Sequence, residues 1–160
     1  MISSSKGPDE LVFLPLGGVG EIGMNLALYG FGPPKARQWI AVDFGVSFAG
    51  PDLPGVDLVL PDIRFLEQHR DNLLGIVITH AHEDHFGALL DLWPRLRVPV
   101  YASAFTAGLL RAKRSGSPGA PDIPIEIVTV GDRIALGPFD VELVAVAHSI
   151  LEPMALAIRT

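Results

Sequence analysis

The sequence predicts a layered α/β fold, and three observations carry that expectation. Short apolar runs bounded by Gly and Pro clusters open the chain, apolar residues at helical spacing fill its middle, and strand-like runs return at its end. With 160 residues, 49% of them hydrophobic, there is material for one folding unit with a real core.

Taken in order, residues 11–16, 25–31, 39–43 and 56–60 read as strands separated by turn-forming clusters. Residues 63–70 suit a short helix, and 74–79 form a compact apolar strand that delivers the chain to the string HAHEDH. A helix starting near His85 is expected through 86–96, with few breakers before Pro94. A short strand at Val100 and Tyr101 and a helix over 104–113 follow, then a loop to Pro124. Strands are expected again at 125–130, 132–136, 141–148 and 154–159, with a turn at Gly137-Pro138. Val77 and Leu143 fall among the packing residues of these strands. The run 154–159 leads straight to Thr160 with no capping or polar tail, an abrupt stop that suggests a truncated chain.

Composition narrows the chemistry. There are no cysteines, which removes disulfides, thiolate metal sites and cysteine nucleophiles and leaves His, Asp or Glu to hold any metal. No apolar run approaches the ~20 residues that cross a bilayer, and the opening MISSSKGPDE lacks a signal-peptide core, so a cytoplasmic protein with no membrane partner is expected. A net charge of -6 argues against this segment alone wrapping a polyanion. Arg111, Lys113 and Arg114 read as a solvated helix end rather than a phosphate site.

His80-Ala81-His82-Glu83-Asp84-His85 gathers three of the five histidines and two carboxylates at the end of an apolar strand. In extended chain, residues i and i+2 point the same way, so His80 and His82 can grip one ion from one face. Asp84 and His85, on the turn into the next helix, can face a second ion. Zinc accepts imidazole nitrogen and carboxylate oxygen at about 2.0–2.2 Å, and a pair of ions roughly 3.5–4 Å apart activates water and stabilises the oxygens of an in-line displacement. His148 ends the apolar run VELVAVA much as His80 ends LLGIVIT; it is either a third nitrogen for the first ion or an unrelated histidine. His69 reads as part of a surface helix. Glu83 either supports a ligand or is solvated.

Gly18-x-Gly20-x-x-Gly23 follows a strand, and Asp43 lies twenty residues further on, which imitates a dinucleotide-binding fingerprint. That fingerprint needs a helix opening at the glycines, yet Gly32-Pro33-Pro34 leaves about two helical turns at most. A tight glycine-rich turn between two strands is the plainer reading.

His80-x-His82-x-Asp84-His85 resembles the signature of the metallo-β-lactamase superfamily, and the wider string THAHEDHFGAL, with Glu before the Asp, resembles its ribonuclease J-like, β-CASP branch. LPLGGVGEIGMN at 14–25, VDFGVSF at 42–48, GVDLVLPD at 55–62 and HSILEPMALAIRT at 148–160 resemble that branch in order and spacing. The resemblance implies a four-layer αββα sandwich of which residues 1–160 form the N-terminal part, without the β-CASP and C-terminal regions. It implies two zinc ions and hydrolysis of RNA, endonucleolytic and 5′ to 3′ exonucleolytic. It assigns His80, His82 and His148 to the first ion and Asp84 and His85 to the second, the last two being the catalytic pair. Asp43 resembles the carboxylate that orients a metal-bound imidazole; a strand-end Asp satisfying local backbone is the alternative. The resemblance also implies a bridging aspartate and a further histidine ligand downstream, so residues 1–160 alone are expected to be inactive. RNA is the implied partner, and any homo-oligomer is expected to form through regions beyond residue 160. Manganese accepts the same ligands and is the alternative metal. Two other functions remain open at this point: hydrolysis of a small ester, thioester or lactam on the same scaffold, and a non-catalytic metal-binding module.

Overall fold

Parallel pairing at the centre of a mixed sheet decides where the functional loops emerge. The computed structural model describes residues 7–160. Along the chain run β1 (Glu10–Gly17), β2 (Leu26–Gly32), β3 (Gln38–Val42), β4 (Ser47–Phe48), β5 (Leu58–Val59), α1 (Arg64–Gln68) and β6 (Leu73–Val77). They are followed by α2 (Glu83–Phe86), α3 (Leu89–Leu96), β7 (Val100–Ala102), α4 (Ala104–Ser115), β8 (Ile125–Ile127), β9 (Arg133–Leu136), β10 (Phe139–Ala145) and β11 (Met154–Arg159). Among the described residues the strands form a six-stranded sheet ordered β1-β2-β3-β6-β7-β8, a three-stranded sheet ordered β11-β10-β9, and the β4-β5 ribbon.

The chain crosses from antiparallel to parallel pairing at β3. β1 and β2 pair antiparallel, as do β2 and β3, whereas β6, β7 and β8 extend the sheet in parallel register from β3. Parallel neighbours need long crossovers: the β4-β5 ribbon and α1 supply the one from β3 to β6, α2 and α3 that from β6 to β7, and α4 that from β7 to β8. Alternation along β3 sends Trp39 and Ala41 to a core shared with Leu66 of α1, Leu92 and Leu96 of α3 and Leu110 of α4. Ile40 points the other way, into a second core with Val77, Leu136, Phe139, Val141, Leu143 and Met154. The result is three layers, helix on sheet on sheet. The α/β expectation holds, and residues 7–160 form three of the four layers of the αββα sandwich.

Several element boundaries differ from expectation. The helix foreseen over 86–96 is two helices, because Ala88 donates its N–H to Phe44 O (2.9 Å), in the loop after β3, and the break falls at Gly87–Ala88. The strand expected over 125–130 stops at Ile127, where Thr129 N–H and O–H both bond the Asp132 carboxylate and close a turn. The strand expected to reach His148 ends at Ala145, the last residue paired with β11, so His148 lies in the following loop. The expected strand at 56–60 shrinks to the two residues of β5. His69 is half-buried rather than superficial, stacked on Phe65 with ring centroids 4.2 Å apart. The glycine-rich turn is as expected: β2 follows it antiparallel to β1, with no helix and hence no dinucleotide fold.

Val77 and Leu143 are fully buried between the two sheets. Truncating either to Ala is expected to lower unfolding free energy by about 1–4 kcal/mol, since each leaves a cavity, as read by urea denaturation.

Candidate metal centre

The site is built at the carboxyl ends of β3 and β6, which lie side by side and point the same way. Val42 pairs with Val77, and Asp43 continues the ladder by donating its N–H to Val77 O at 2.9 Å. Asp43 then turns into the left-handed region (φ 63°), a conformation that Asp tolerates better than most residues. Its carboxylate, 5% exposed, accepts from Thr79 N–H (2.8 Å), from Thr79 Oγ1 (2.9 and 3.0 Å) and from His85 Nδ1 (2.7 Å).

Thr79 relays this order. Its hydroxyl donates to Asp43 and so accepts from His80 Nδ1 at 2.9 Å, which turns His80 Nε2 toward the cluster. His80 Nε2 lies 3.1 Å from His82 Nδ1, and His148 Nε2 lies 3.1 Å from that same atom. Ligand nitrogens of the three residues fall within 4.8 Å of one another. Donors held tetrahedrally at zinc's ~2.1 Å bond length stand about 3.4 Å apart, so the spacing fits one cation.

Beside this cluster, His85 Nε2 faces Asp84 Oδ2 at 3.4 Å, and the His80 and His85 ring centroids are 4.0 Å apart. Because Asp43 takes the Nδ1–H of His85, Nε2 is the nitrogen turned toward Asp84 and the Asn25 amide, where a cation could bind. All six residues singled out in the sequence therefore converge, three imidazoles in one group and Asp84 with His85 in the next. The fold and the imidazole cluster together define a metal site.

Two residues here escaped the sequence reading. Thr79 was only the end of a strand, and Asn25 only the start of one. Asn25 donates its side-chain amide to Asp84 O (3.0 Å) and Oδ2 (3.1 Å) and lies 3.2 Å from His85 Nε2. Their places directly beside the histidine-rich and glycine-rich strings were the one available signal, too weak to assign either a role. Glu83 turns away from the site: its carboxylate pairs with Lys113 Nζ at 2.5 Å, and Lys113 also sits 5.4 Å from the Phe86 ring centroid. Of the expected solvated helix end, Arg111 and Arg114 are exposed, Arg114 pairing with Asp122 at 3.2 Å, while half-buried Lys113 braces α2 against α4.

Backbone contacts fix the loops. Phe44 and Val46 donate to His85 O (2.6 Å) and Glu83 O (3.0 Å). A Cβ on Gly45 would lie 1.6 Å from Asp84 O, so only glycine permits this approach. The His148 loop is pinned at its far end, where Glu152 accepts from Phe105 N–H at the start of α4 (2.8 Å) and Met154 N–H donates to Thr79 O (3.0 Å).

Burial pushes His80 down to about 4, helped by the neighbouring imidazoles, which leaves it neutral and available as a ligand at neutral pH. Burial raises the Asp43 carboxyl against the hydrogen bonds from His85 and Thr79. Burial also works against a charged His85, but the Asp43 hydrogen bond and charge outweigh it and raise His85 overall. A proton is thus held between Asp43 Oδ2 and His85 Nδ1.

The layered sheets and the imidazole cluster mark a class of metal-site proteins. The chain belongs to the metallo-beta-lactamase superfamily, whose profile matches residues 30–149. It is 70% identical over 152 residues to ribonuclease J of Sinorhizobium meliloti, covering 95% of the chain and 27% of that protein. Ribonuclease J of Helicobacter pylori is 40% identical over 91% of the chain, and that of Thermus thermophilus is 36% identical over 98%. The chain spans about a quarter of the length of these relatives, between 21% and 28%. Among solved structures, a B3 metallo-beta-lactamase aligns with TM-score 0.60 at 19% identity, covering 91% of this chain and 53% of its own. Zn(2+)-bound PqqB from Methylobacterium extorquens aligns with TM-score 0.59 at 14% identity, covering 92% and 58%. These two share the fold.

Two outcomes are expected. Gly45→Ala should destabilise the protein by about 1–3 kcal/mol or more through overpacking against Asp84 O, measured by thermal or urea unfolding. In metal-free protein, His80 should stay neutral to about pH 4, while His85 keeps its proton above its ordinary 6.5, as followed by imidazole NMR titration. The linkage signs are opposite: the depressed His80 favours folding above about pH 6.5 and loses that contribution as pH falls towards about 4, whereas the raised His85 favours folding below 6.5 and loses it as pH rises through its folded value.

Proposed function

We propose that the protein carrying this chain is a zinc-dependent ribonuclease of the ribonuclease J type, which hydrolyses RNA phosphodiesters both internally and from the 5′ end. The observation that carries this reading is the 70% identity to ribonuclease J across 152 residues. Likeness to a B3 metallo-beta-lactamase extends to the fold alone, at 19% identity, so hydrolysis of a small lactam, ester or thioester has no comparable support.

In this reading His80, His82 and His148 hold one ion and Asp84 and His85 a second, with Asp84 and His85 nearest the chemistry. When bound, the ions supply Lewis-acid chemistry: water activation and neutralisation of charge on phosphate oxygens. The residues of the chain do the rest. Asp43 fixes the His85 tautomer directly and the His80 tautomer through Thr79. Only one of the five ligands is a carboxylate, so the occupied site keeps net positive charge toward a phosphodiester. Zinc suits this nitrogen-rich set, with manganese the alternative. Among the described residues no helix is long and apolar enough to cross a membrane. We assign the enzyme to the cytoplasm with its RNA substrate, and we assign RNA grip and any homo-oligomer to regions beyond residue 160, since this stretch carries a net charge of -6.

Zinc content and RNA cleavage measured side by side test the proposal. Residues 1–160 alone should be inactive, and a chain extended through the downstream aspartate and histidine should bind two ions and cut RNA. Zinc uptake without RNA cleavage in the extended chain would favour a small-molecule hydrolase or a binding module. In the whole protein, His80→Ala or His82→Ala should abolish cleavage while circular dichroism stays unchanged; near-normal rates in either variant would sink the ligand assignment.

A further inference from the structure

The glycine-rich segment before β2 has no nucleotide to bind, yet it adopts a demanding conformation. Gly18, Gly20 and Gly23 all lie at positive φ, 82°, 80° and 98°. A Cβ on Gly18 would stand 2.4 Å from Asn25 Oδ1, and one on Gly17 would stand 2.1 Å from Met24 O. The segment is folded tightly around Asn25.

Asn25 in turn is bound to the loop that carries Asp84 and His85. Its backbone N–H donates to Asp84 O (2.9 Å) and its carbonyl accepts from Gly45 N–H (2.9 Å). Its side-chain amide donates to Asp84 O and Oδ2 at 3.0 and 3.1 Å and lies 3.2 Å from His85 Nε2. Among the described residues it is the one side chain that bonds to both.

We infer that Asn25 is a positioning residue for the second metal ion, and that the glycine turn exists to hold its amide in place. Asp84 stands on the four-residue helix α2, half-exposed, and among the described residues Asn25 is the one side chain that donates a hydrogen bond to its carboxylate, His85 Nε2 standing further off at 3.4 Å. Anchoring that group in advance removes rotamer freedom that ion binding would otherwise have to overcome. Asp84 Oδ2 has two lone pairs, so it accepts from Asn25 and still serves a cation. His85 Nε2 has one, so its contact with the amide gives way when an ion binds. The inference rests on the two-ion reading of the site and is independent of the substrate.

The test is zinc binding to the whole protein by chelator competition, with both ions resolved. Asn25→Ala should leave the first ion's affinity unchanged and weaken the second about 10- to 100-fold, the range typical of losing a group that supports a ligand. Gly18→Ala, which touches no ligand, should weaken the second ion too, through the clash with Asn25 Oδ1 and the strained φ. In the double variant the effects should not add, since Gly18 acts through Asn25. Retention of the second ion at unchanged affinity in Asn25→Ala, or fully additive losses, would overturn the inference. Loss of both ions together would show that Asn25 holds the fold and would overturn it as well. A parent protein that takes up only one ion would instead refute the two-ion reading on which the inference stands.

Discussion

Asp43 is the constraint around which the site is organised. A carboxylate removed from water costs several kcal/mol even after relaxation, roughly, unless donors replace its hydration. Here the replacements are the Thr79 N–H, the Thr79 hydroxyl and His85 Nδ1. The same bonds that make burial tolerable also orient two imidazoles, one in each half of the site. Remove the carboxylate and both histidines lose the partner that selects their tautomer. Burial of the carboxylate and orientation of the histidines are thus tied to one side chain.

That arrangement is possible because β3 and β6 run parallel and end together. An antiparallel neighbour would carry its next loop to the opposite edge, away from Asp43. The left-handed turn at Asp43 then directs residues 44–46 across the histidine loop, where their backbone pairs with Glu83 and His85. Gly45 permits that contact at a distance no Cβ would survive. The Glu83–Lys113 pair braces the same loop from the helical layer, and Phe105 N–H at the start of α4 holds the His148 loop through Glu152. Each loop of the site is tied to a rigid element at its base, the arrangement that precise ligand geometry requires.

The superfamily scaffold is one that very different sequences share. The solved B3 lactamase and PqqB share the layering at 19% and 14% identity, too distant to transfer a substrate. Similarity to ribonuclease J is of another kind, running through 95% of the chain. These 160 residues are acidic, with a net charge of -6, which opposes gripping a polyanion through this stretch alone.

The sequence by itself determined the α/β class, the order of most strands and the ligand types, because alternation, helical spacing and the HAHEDH string are local properties. His80, His82, Asp84 and His85 were legible for that reason, all within six residues. His148 and Asp43 were legible mainly through resemblance, since their role depends on contacts across 66 and 42 residues of chain. Thr79 and Asn25 were not legible at all. A threonine ending a strand and an asparagine opening one are commonplace, and only the parallel register and the folded glycine turn bring them to the histidines. The break between α2 and α3 had the same origin: propensity favoured one helix, but the Ala88 N–H found its partner at Phe44. Tertiary hydrogen bonds overrode local preference at the α2–α3 break beside the metal site, and a local turn did so where Thr129 and Asp132 end β8.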